Sequence, residues 1–493
     1  MKTVRQARRC STEPHPLSSR PGSRSPVVFG SILLIGLVLC HPCFAQISSV
    51  SERVRLVQDE SRRELEQTTF LKLPTPAYPM IDVGGWASLT YIDFSNDDHQ
   101  KALPDLTQNV IIQDYRLWLK AALSERFNGL VRLRNQDYIF RMASDVTSPD
   151  MHQQEGLELD QAYVDYTGND HLTARLGRQY VRVGRGLVLS ADLDGAGAEY
   201  SSPDWRCRAF AGRTVRRDPN IDNSILGYAQ ATQDRDFFFL ESTRQLTSGH
   251  RVYGYTVIQQ DSSKSLDPVQ AAKDFHYNSQ YMGIGASGRV HPLLHYFLEI
   301  VRENGRMMID LPTTPRQDIE ATSLLSGLLY YPKWFGKPLV SLEYAFGSGD
   351  SARSSVTNTF GGKLTNTTDH NFLYFGSYDG GLALSPRLSN LHVLRLGYQY
   401  KPWVQDAELV PDLLLGTKMS LYWKDTADGL ISDSLAVMAS RDIGSAIDLF
   451  VAFRPYSDFS LMLHGGRFMP GDAYASGADD ATDRLLATGT LSF

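Results

Sequence analysis

Arginine side chains recur along this chain at positions that alternate with apolar residues. Arg132 and Arg134 alternate with Val131 and Leu133, and Arg116 follows the same pattern. The guanidinium group is planar and always charged, and it binds carboxylates through paired hydrogen bonds. A set of such groups around a narrow, water-filled pore selects anions by replacing part of their hydration. The chemistry that these residues could perform is therefore the non-covalent handling of an anion.

The alternation that positions these arginines has a period of two, which places successive side chains on opposite faces of a β-sheet. It runs from Ile81 to the end of the chain, in segments such as 115–120, 294–300 and 447–454. We count roughly 16 to 18 such segments, separated by turn-rich stretches and without convincing helices between them. One face carries Leu, Val, Phe and Tyr and the other carries charges, a pattern typical of a barrel with lipid outside and water inside. The predicted fold class is all-β, a single transmembrane antiparallel β-barrel, and a soluble all-β protein is the alternative.

The barrel prediction assigns the charged face to the lumen, because a charged side chain that faces lipid near the bilayer midplane costs ~2–4 kcal/mol. The residues predicted to line the lumen and contact the conducted molecule are Arg116, Lys120, Arg132, Arg134, Arg175, Arg178, Arg206, Arg208, Arg395, Arg454, Glu343 and Asp448. Acids such as Asp165 and Glu299 would pair some arginines and keep others from holding cargo too tightly. The alternative is that these charges form salt-bridge ladders inside a closed or plugged barrel.

The first 45 residues predict an export signal. A basic segment precedes an apolar run at 27–40, and Ala45 suits cleavage before Gln46. The run is shorter than the ~20 residues that a spanning helix needs. The predicted location is therefore the outer membrane of a Gram-negative-type bacterium, with lipid as the surrounding partner.

Residues 46–79 form the second predicted region, between the signal and the barrel of residues 80–493. Apolar residues at helical spacing within 47–67 predict a short periplasmic helix, and prolines then break the chain. Two long polar stretches inside the barrel, at about 347–379 and 192–202, are predicted as loops that face outward. The last strand alternates up to Phe493, which resembles the signal read by the barrel-assembly machinery.

Several other functions receive no support from the sequence. A formal net charge of -6 argues against nucleic acid as a partner. Cys207 is the one cysteine beyond the predicted signal, so neither an internal disulfide nor a cysteine-based metal site is expected. Segment 283–288 fits a dinucleotide-binding pattern but has no following helix, and 192–195 is a calcium-loop fragment without its downstream ligands. We expect no cofactor, no metal and no enzyme, although catalytic residues at a barrel rim could not be recognised from sequence spacing.

A family resemblance rests on three groups of segments. The first is 174–179, Ala-Arg-Leu-Gly-Arg-Gln, with the turn Gly184-Arg185-Gly186; the second is 343–350, Glu-Tyr-Ala-Phe-Gly-Ser-Gly-Asp. The third comprises 444–449, 454–456 and 466–472. In this order they resemble the alginate-export family over roughly residues 110 to 493. The resemblance implies a monomeric barrel of about 18 strands whose arginine-lined lumen conducts an anionic polysaccharide, and it defines the fold better than the cargo.

Three functional hypotheses follow from these observations. The first is a passive pore that exports an anionic polysaccharide or similar polyanion, with the long loops as gates. The second is a porin-like channel for uptake of small organic anions, which shares the same fold and lumen charge. The third is a plugged barrel that acts as a structural or assembly partner, in which segment 47–67 could bind a periplasmic partner or fold into the lumen. Neighbouring genes would discriminate export from uptake.

Overall fold

The computed structural model describes residues 80–100, 107–142, 151–169, 171–215, 234–247, 249–262, 277–307, 316–356, 359, 363–402 and 412–493. The predicted signal peptide (1–45) and the predicted helix and linker (46–79) lie outside the described residues and stay predictions. Across the described ranges, no helix is both long enough and apolar enough to span a membrane.

The described residues form 18 strands in one sheet, and each strand is antiparallel to its neighbours. The strands are β1 (Met80–Ser95), β2 (Thr107–Ala122), β3 (Phe127–Met142), β4 (Met151–Thr167), β5 (Leu172–Arg182), β6 (Ser190–Ser201), β7 (Trp205–Thr214), β8 (Arg235–Thr247), β9 (His250–Asp261), β10 (Asn278–His291), β11 (Leu294–Met307), β12 (Gln317–Tyr330), β13 (Leu339–Gly347), β14 (Leu391–Tyr400), β15 (Asp412–Trp423), β16 (Asp442–Tyr456), β17 (Phe459–Pro470) and β18 (Thr482–Ser492).

The first and last strands close the sheet into a barrel, because β1 pairs with both β2 and β18. Closure continues to the final residue: the amide of Gly85 donates to the carbonyl of Phe493 at 2.9 Å, and the amide of Phe493 donates back at 3.0 Å. A closed barrel leaves no open sheet edge in the bilayer. The prediction of a single antiparallel barrel of about 18 strands is confirmed.

The two faces of the sheet separate apolar from charged side chains, as the alternation predicted. A row of exposed apolar side chains crosses β13 to β16 on the outer face at Leu342, Leu396, Met419 and Ile447. One position along, Glu343 is paired with Arg395 on the inner face. An apolar outer band and a polar interior are the arrangement of a membrane-spanning barrel.

The two ends of the barrel differ in the length of their connections. At one end the turns are short, for example Pro292-Leu293 between β10 and β11 and Ser457-Asp458 between β16 and β17. At the other end, segment 348–390 joins β13 to β14 and segment 424–441 joins β15 to β16. Short turns face the periplasm and long loops the exterior in barrels of this kind. We therefore call the long-loop end extracellular.

The predicted loop at 192–202 is wrong, because residues 192–201 belong to strand β6. Their small and polar composition suggested a loop, yet Gly195 is paired with Gly212 of β7. The Phe210 ring lies over these glycines, and a Cβ added at Gly195 would come within 2.7 Å of it. Glycine is used in this strand because a ring occupies the space of its side chain.

Candidate functional site: a charged lumen with two inward-folded segments

The structure places all but one of the predicted lumen residues on the inner face. Side-chain alternation and register put them opposite the exposed apolar positions of the same strands. They are Arg116, Lys120, Arg132, Arg134, Arg175, Arg206, Arg208, Arg395, Arg454, Glu343 and Asp448. Their contact with a conducted molecule stays a prediction.

Arg178 is the exception, and its predicted place in the lumen is corrected. It lies on the outer face, where its guanidinium donates to both carboxylate oxygens of Asp194 at 2.7 and 2.9 Å. Arg175, three residues away, pairs in the lumen with Asp165 at 2.6 and 2.9 Å. Residues three apart on a strand point to opposite faces, so Arg175 and Arg178 cannot both line the lumen.

Arginines and acids of β2 to β4 form a compact group on the inner wall, which we call the β2–β4 arginine cluster. Its members are Arg116, Arg132, Arg134, Asp114 and Asp160, packed against Trp86 of β1. Arg116 donates to both oxygens of Asp114 at 3.0 Å, and Asp160 accepts hydrogen bonds from Arg116 and Arg132. The two guanidinium groups lie 5.2 and 5.4 Å from the centre of the Trp86 ring.

Burial separates the members of this cluster by role. Arg116 and Arg132 are only 3% and 2% exposed, so their charges are committed to Asp114 and Asp160. The Arg134 side chain is 25% exposed and reaches Asp114 at 3.1 Å. Arg134 is therefore the member that water or a solute in the lumen can contact. The salt-bridge interpretation of the inner face fits Arg116 and Arg132 best.

Partly exposed ion pairs line the inner wall from β4 to β8. Arg206 lies 2.7 Å from Glu199, and Arg208 lies 2.7 Å from Glu241. Arg175, paired with Asp165, also lies 3.8 Å above the Tyr163 ring. The Arg175–Asp165 and Arg206–Glu199 pairs are exposed enough to contribute about 0–1 kcal/mol each, so a solute oxyanion can replace their carboxylates at small cost, whereas Glu241 is largely buried.

The remaining predicted cations lie near the periplasmic end of the inner face. The Lys120 ammonium lies 4.7 Å from the Trp118 ring centre. Arg454 donates to the carbonyl of Ser457 at 2.6 Å. Both residues therefore have protein partners and are held at the end where a periplasmic solute would enter.

The short connection between β5 and β6, residues 183–189, folds into the barrel; we call it the arginine turn. The amide of Gly184 donates to Glu241 at 3.1 Å, and the amide of Arg185 donates to Glu299 at 2.9 Å. Gly184 and Gly186 have φ of 54° and 89°, a region that favours glycine. These contacts explain why the sequence needs glycine on both sides of Arg185.

Arg185 lies at the tip of this turn, where the carboxylates of Glu299 and Glu343 are near enough to attract its guanidinium but do not contact it. Its guanidinium lies 3.6 Å from the Phe297 ring centre, within the range of a cation–π contact. In the part of the chain that the structure describes, the Arg185 side chain makes no ion pair and no hydrogen bond. Burial lowers the pKa of Arg185, and arginine keeps its charge throughout the physiological range. The turn therefore holds a positive charge in the lumen that no carboxylate of the described residues contacts directly.

A second element enters the lumen from the loop between β13 and β14, and we call residues 372–383 the crossing segment. The amide of Leu373 donates to Glu303 of β11 at 3.0 Å, and the hydroxyl of Tyr281 lies 2.7 Å from the carbonyl of Leu373. The ring of Phe375 packs edge-on against Phe237 of β8 at 5.3 Å. These contacts fix one end of the crossing segment to the β8–β11 wall.

The crossing segment then pairs with the arginine turn. The amide of Phe375 donates to the carbonyl of Val188 at 2.9 Å, and the amide of Ser377 donates to that of Gly186 at 3.0 Å. A Cβ added at Gly376 would overlap the carbonyl oxygen of Gly186. The two inward-folded elements are therefore in direct backbone contact.

The far end of the crossing segment is fixed to the opposite side of the barrel. Arg395 donates to the carbonyl of Asp379 at 2.7 Å, and the amide of Leu382 donates to Asp448 at 3.2 Å. The Leu382 side chain packs into an apolar cluster with Ile92, Phe94, Val110, Ile112, Tyr138, Phe140 and Leu486. The loop begins and ends at the extracellular end, but the expectation that all of it faces outward is wrong: residues 372–383 cross the lumen, because their apolar side chains are buried against both walls.

The arginine turn and the crossing segment together narrow the lumen, and we call them the constriction. Sequence reasoning did not identify the residues that form it. Arg185 appeared only within a glycine-flanked motif, and the two glycines were the signal that it lies at a tight turn. Tyr281 and Glu303 gave no signal, because their partner Leu373 lies far along the chain. Among the described residues, no group of three or more His, Cys, Asp or Glu could hold a metal ion.

The family model described as alginate export matches residues 83–488. A search of the curated proteins found no match. Among solved structures, OccK5 (OpdH) of Pseudomonas aeruginosa is 11% identical with a TM-score of 0.51, covering 84% of this chain and 98% of that one. OccAB4 of Acinetobacter baumannii is 14% identical with a TM-score of 0.51, covering 85% of this chain and 100% of that one. These two likenesses concern the fold alone.

Proposed function

We propose, from the premise that this chain belongs to the alginate export family, that it is an outer-membrane pore through which an anionic polysaccharide or similar polyanion leaves the cell. The family and the barrel are those of transport proteins. The class of cargo, the outward direction of transport and the role of the arginines are what the proposal adds to the family assignment.

The observation that carries the proposal is Arg185 at the tip of the arginine turn. A cation whose guanidinium makes no direct ion pair can bind anions in a confined lumen, and the surrounding low-dielectric wall strengthens that attraction. Its stacking on Phe297 at 3.6 Å holds the guanidinium in place without neutralising it. An anionic group that moves through the lumen can therefore bind Arg185 without displacing a protein carboxylate.

The paired arginines of the inner wall suit a polymer with repeated charges. Arg175 and Arg206 are partly exposed, and each pairs with a partly exposed acid. Such contacts are weak and exchangeable. A polyanion can pass from one to the next, whereas a single tight site would stop its movement.

The proposal is tested by measuring ion selectivity in planar bilayers under a salt gradient. The wild-type pore should be anion-selective. Arg185→Gln should lower that selectivity, because it removes the unpaired charge at the constriction. Arg178→Gln is the matched control, since this arginine lies on the outer wall beside Asp194 and should leave selectivity unchanged. A cation-selective wild-type pore would contradict the proposal.

A second candidate function, a sealed barrel that serves as a structural or assembly partner, is favoured by the crossing segment. That segment is bonded to opposite sides of the barrel at Glu303 and Asp448. A sealed barrel would not conduct ions until the segment is removed. Measurable conductance of the wild-type chain would therefore reject this candidate.

Uptake of small organic anions is a separate alternative to export. It would be distinguished from export by testing whether polymers enter the pore.

Two further partners belong to the proposal. Phe493, whose side chain is exposed at the periplasmic end of the wall, would bind the barrel-assembly machinery, and Phe493→Ala should slow assembly. A periplasmic scaffold would deliver the polymer to a monomeric barrel. Co-purification with the polymer synthase complex would support this second interaction.

A further inference from the structure

A groove of ≈ 270 Å³ runs along the outer face where β16, β17, β18 and β1 lie side by side. Gly465 forms its floor, and the register places Leu449 of β16 and Leu485 of β18 on either side. A Cβ at Gly465 would meet no atom within 4 Å. The groove therefore exists because one side chain is missing between two leucines on a wall that faces hydrocarbon.

Arg467 lies at the extracellular end of this groove. It is the next outward residue of β17 after Gly465, and its side chain is 52% exposed. Its nearest acid, Asp483, is 3.7 Å away, which is beyond hydrogen-bond length. Within the described residues the Arg467 guanidinium makes no hydrogen bond, so its donors are open.

Other arginines of the outer wall are held differently. Arg178 and Arg213 each donate two hydrogen bonds to one carboxylate, Asp194 and Asp236 respectively, at 2.7 to 2.9 Å. Bidentate pairs of this kind occupy the planar face that an arginine offers to an oxyanion. Arg467 differs from them in having both open donors and an adjoining apolar groove.

We propose that this groove binds one acyl chain of a phosphorylated glycolipid of the outer leaflet, whose phosphate accepts hydrogen bonds from Arg467. The glycine floor and the side chains of Ile447, Leu449 and Leu485 match a hydrocarbon chain. The groove is also lined by Asp93 and Asp483, so Arg467 supplies the attraction for the phosphate against these two acids. The guanidinium at the extracellular end matches a phosphate at the level of the lipid headgroups. Asp483 holds one side of Arg467 loosely and leaves the other side for the lipid.

The full-length chain, extracted in mild detergent and incubated with bis-phosphorylated lipid A, tests this inference by native mass spectrometry. The wild type should retain one tightly bound lipid A. Gly465→Leu fills the groove and Arg467→Gln removes the charge, and each should weaken binding by about tenfold, equivalent to about 1.4 kcal/mol. Arg213→Gln is the control that should bind like wild type. Heat-modifiable mobility on a gel verifies that each variant is folded.

Two results would overturn the inference. The first is equal retention of lipid A by wild type and Gly465→Leu. The second is equal binding of dephosphorylated lipid A or of phosphatidylglycerol, since the site is assigned to a phosphorylated glycolipid. Because these readouts do not involve conductance, they are independent of the proposed transport function.

Discussion

His99, in the connection between β1 and β2, lies with its Nε2 atom 3.3 Å from the Oδ2 atom of Asp433, in the connection between β15 and β16. Tyr474, between β17 and β18, donates to the same oxygen of Asp433 at 2.8 Å. Three extracellular loops therefore meet at one carboxylate, and we call this contact the loop clasp.

The loop clasp should depend on pH. Burial alone lowers the pKa of His99, but the hydrogen bond and negative charge of Asp433 outweigh it, so the pKa is raised. Burial raises the pKa of Asp433, but the hydrogen bond and charge of His99, with hydrogen bonds from Leu435 and Tyr474, outweigh that effect and lower the pKa. The stabilisation of the loop clasp by protonated His99 is complete below about pH 6.5, and it is lost as the pH rises through the raised pKa of His99. The stabilisation of the loop clasp by ionised Asp433 is complete above about pH 3.9, and it is lost as the pH falls through the lowered pKa of Asp433.

The loop clasp is therefore strongest at mildly acidic pH, and protease cleavage of the extracellular loops should increase as pH rises above neutrality. His99→Gln should make cleavage nearly independent of pH in this range. A charge-assisted hydrogen bond of this type contributes about 1.5–3 kcal/mol, enough to alter cleavage measurably. Identical pH profiles for wild type and His99→Gln would show that the clasp does not control the loops.

The contact between the crossing segment and the arginine turn should control pore size. Gly376→Ala places a methyl group against the carbonyl oxygen of Gly186, and overpacking of this kind costs about 1–3 kcal/mol. The crossing segment should separate from the turn, and single-channel conductance should rise. Gly465→Ala is the control, because its added Cβ meets no atom within 4 Å. Unchanged conductance in Gly376→Ala would mean that this contact does not narrow the pore.

Burial should decide which inner-wall ion pairs stabilise the barrel. Asp160→Asn removes a carboxylate shared by Arg116 and Arg132, and breaking a buried pair costs about 3–5 kcal/mol. Asp165→Asn breaks the partly exposed pair with Arg175 and should cost under about 1 kcal/mol. Denaturant unfolding in detergent, followed by tryptophan fluorescence, compares the two variants. Equal losses would contradict the division between structural and exchangeable arginines.

Local patterns predicted the barrel and its charged lumen, because alternation and the cost of placing charge in lipid both act within a single strand. The same alternation rule shows that Arg178 lies on the outer face, because it is three residues from Arg175, which faces the lumen. Strand β6 was missed because composition alone cannot show that Gly195 makes room for the Phe210 ring. Glycine and serine have low strand propensity, but packing between strands outweighed it.

The constriction could not be predicted, because it depends on contacts between distant parts of the chain. Leu382 packs beside Ile92 and Phe94 of β1, and Leu373 is bonded to Glu303. No local period specifies which lumen wall a loop residue will reach. The sequence did indicate the position of the loop, since segment 348–390 contains all but the first residue of the predicted stretch at 347–379.

The measurement that tests the transport proposal most directly is the single-channel current of the wild-type chain with a polyuronate oligomer added at the short-turn side. The proposal predicts brief, reversible current blockades whose duration shortens in Arg185→Gln, and none with a neutral glucan of the same length. Equal blockades by the charged and the neutral oligomer, or none by either through an open pore, would contradict it.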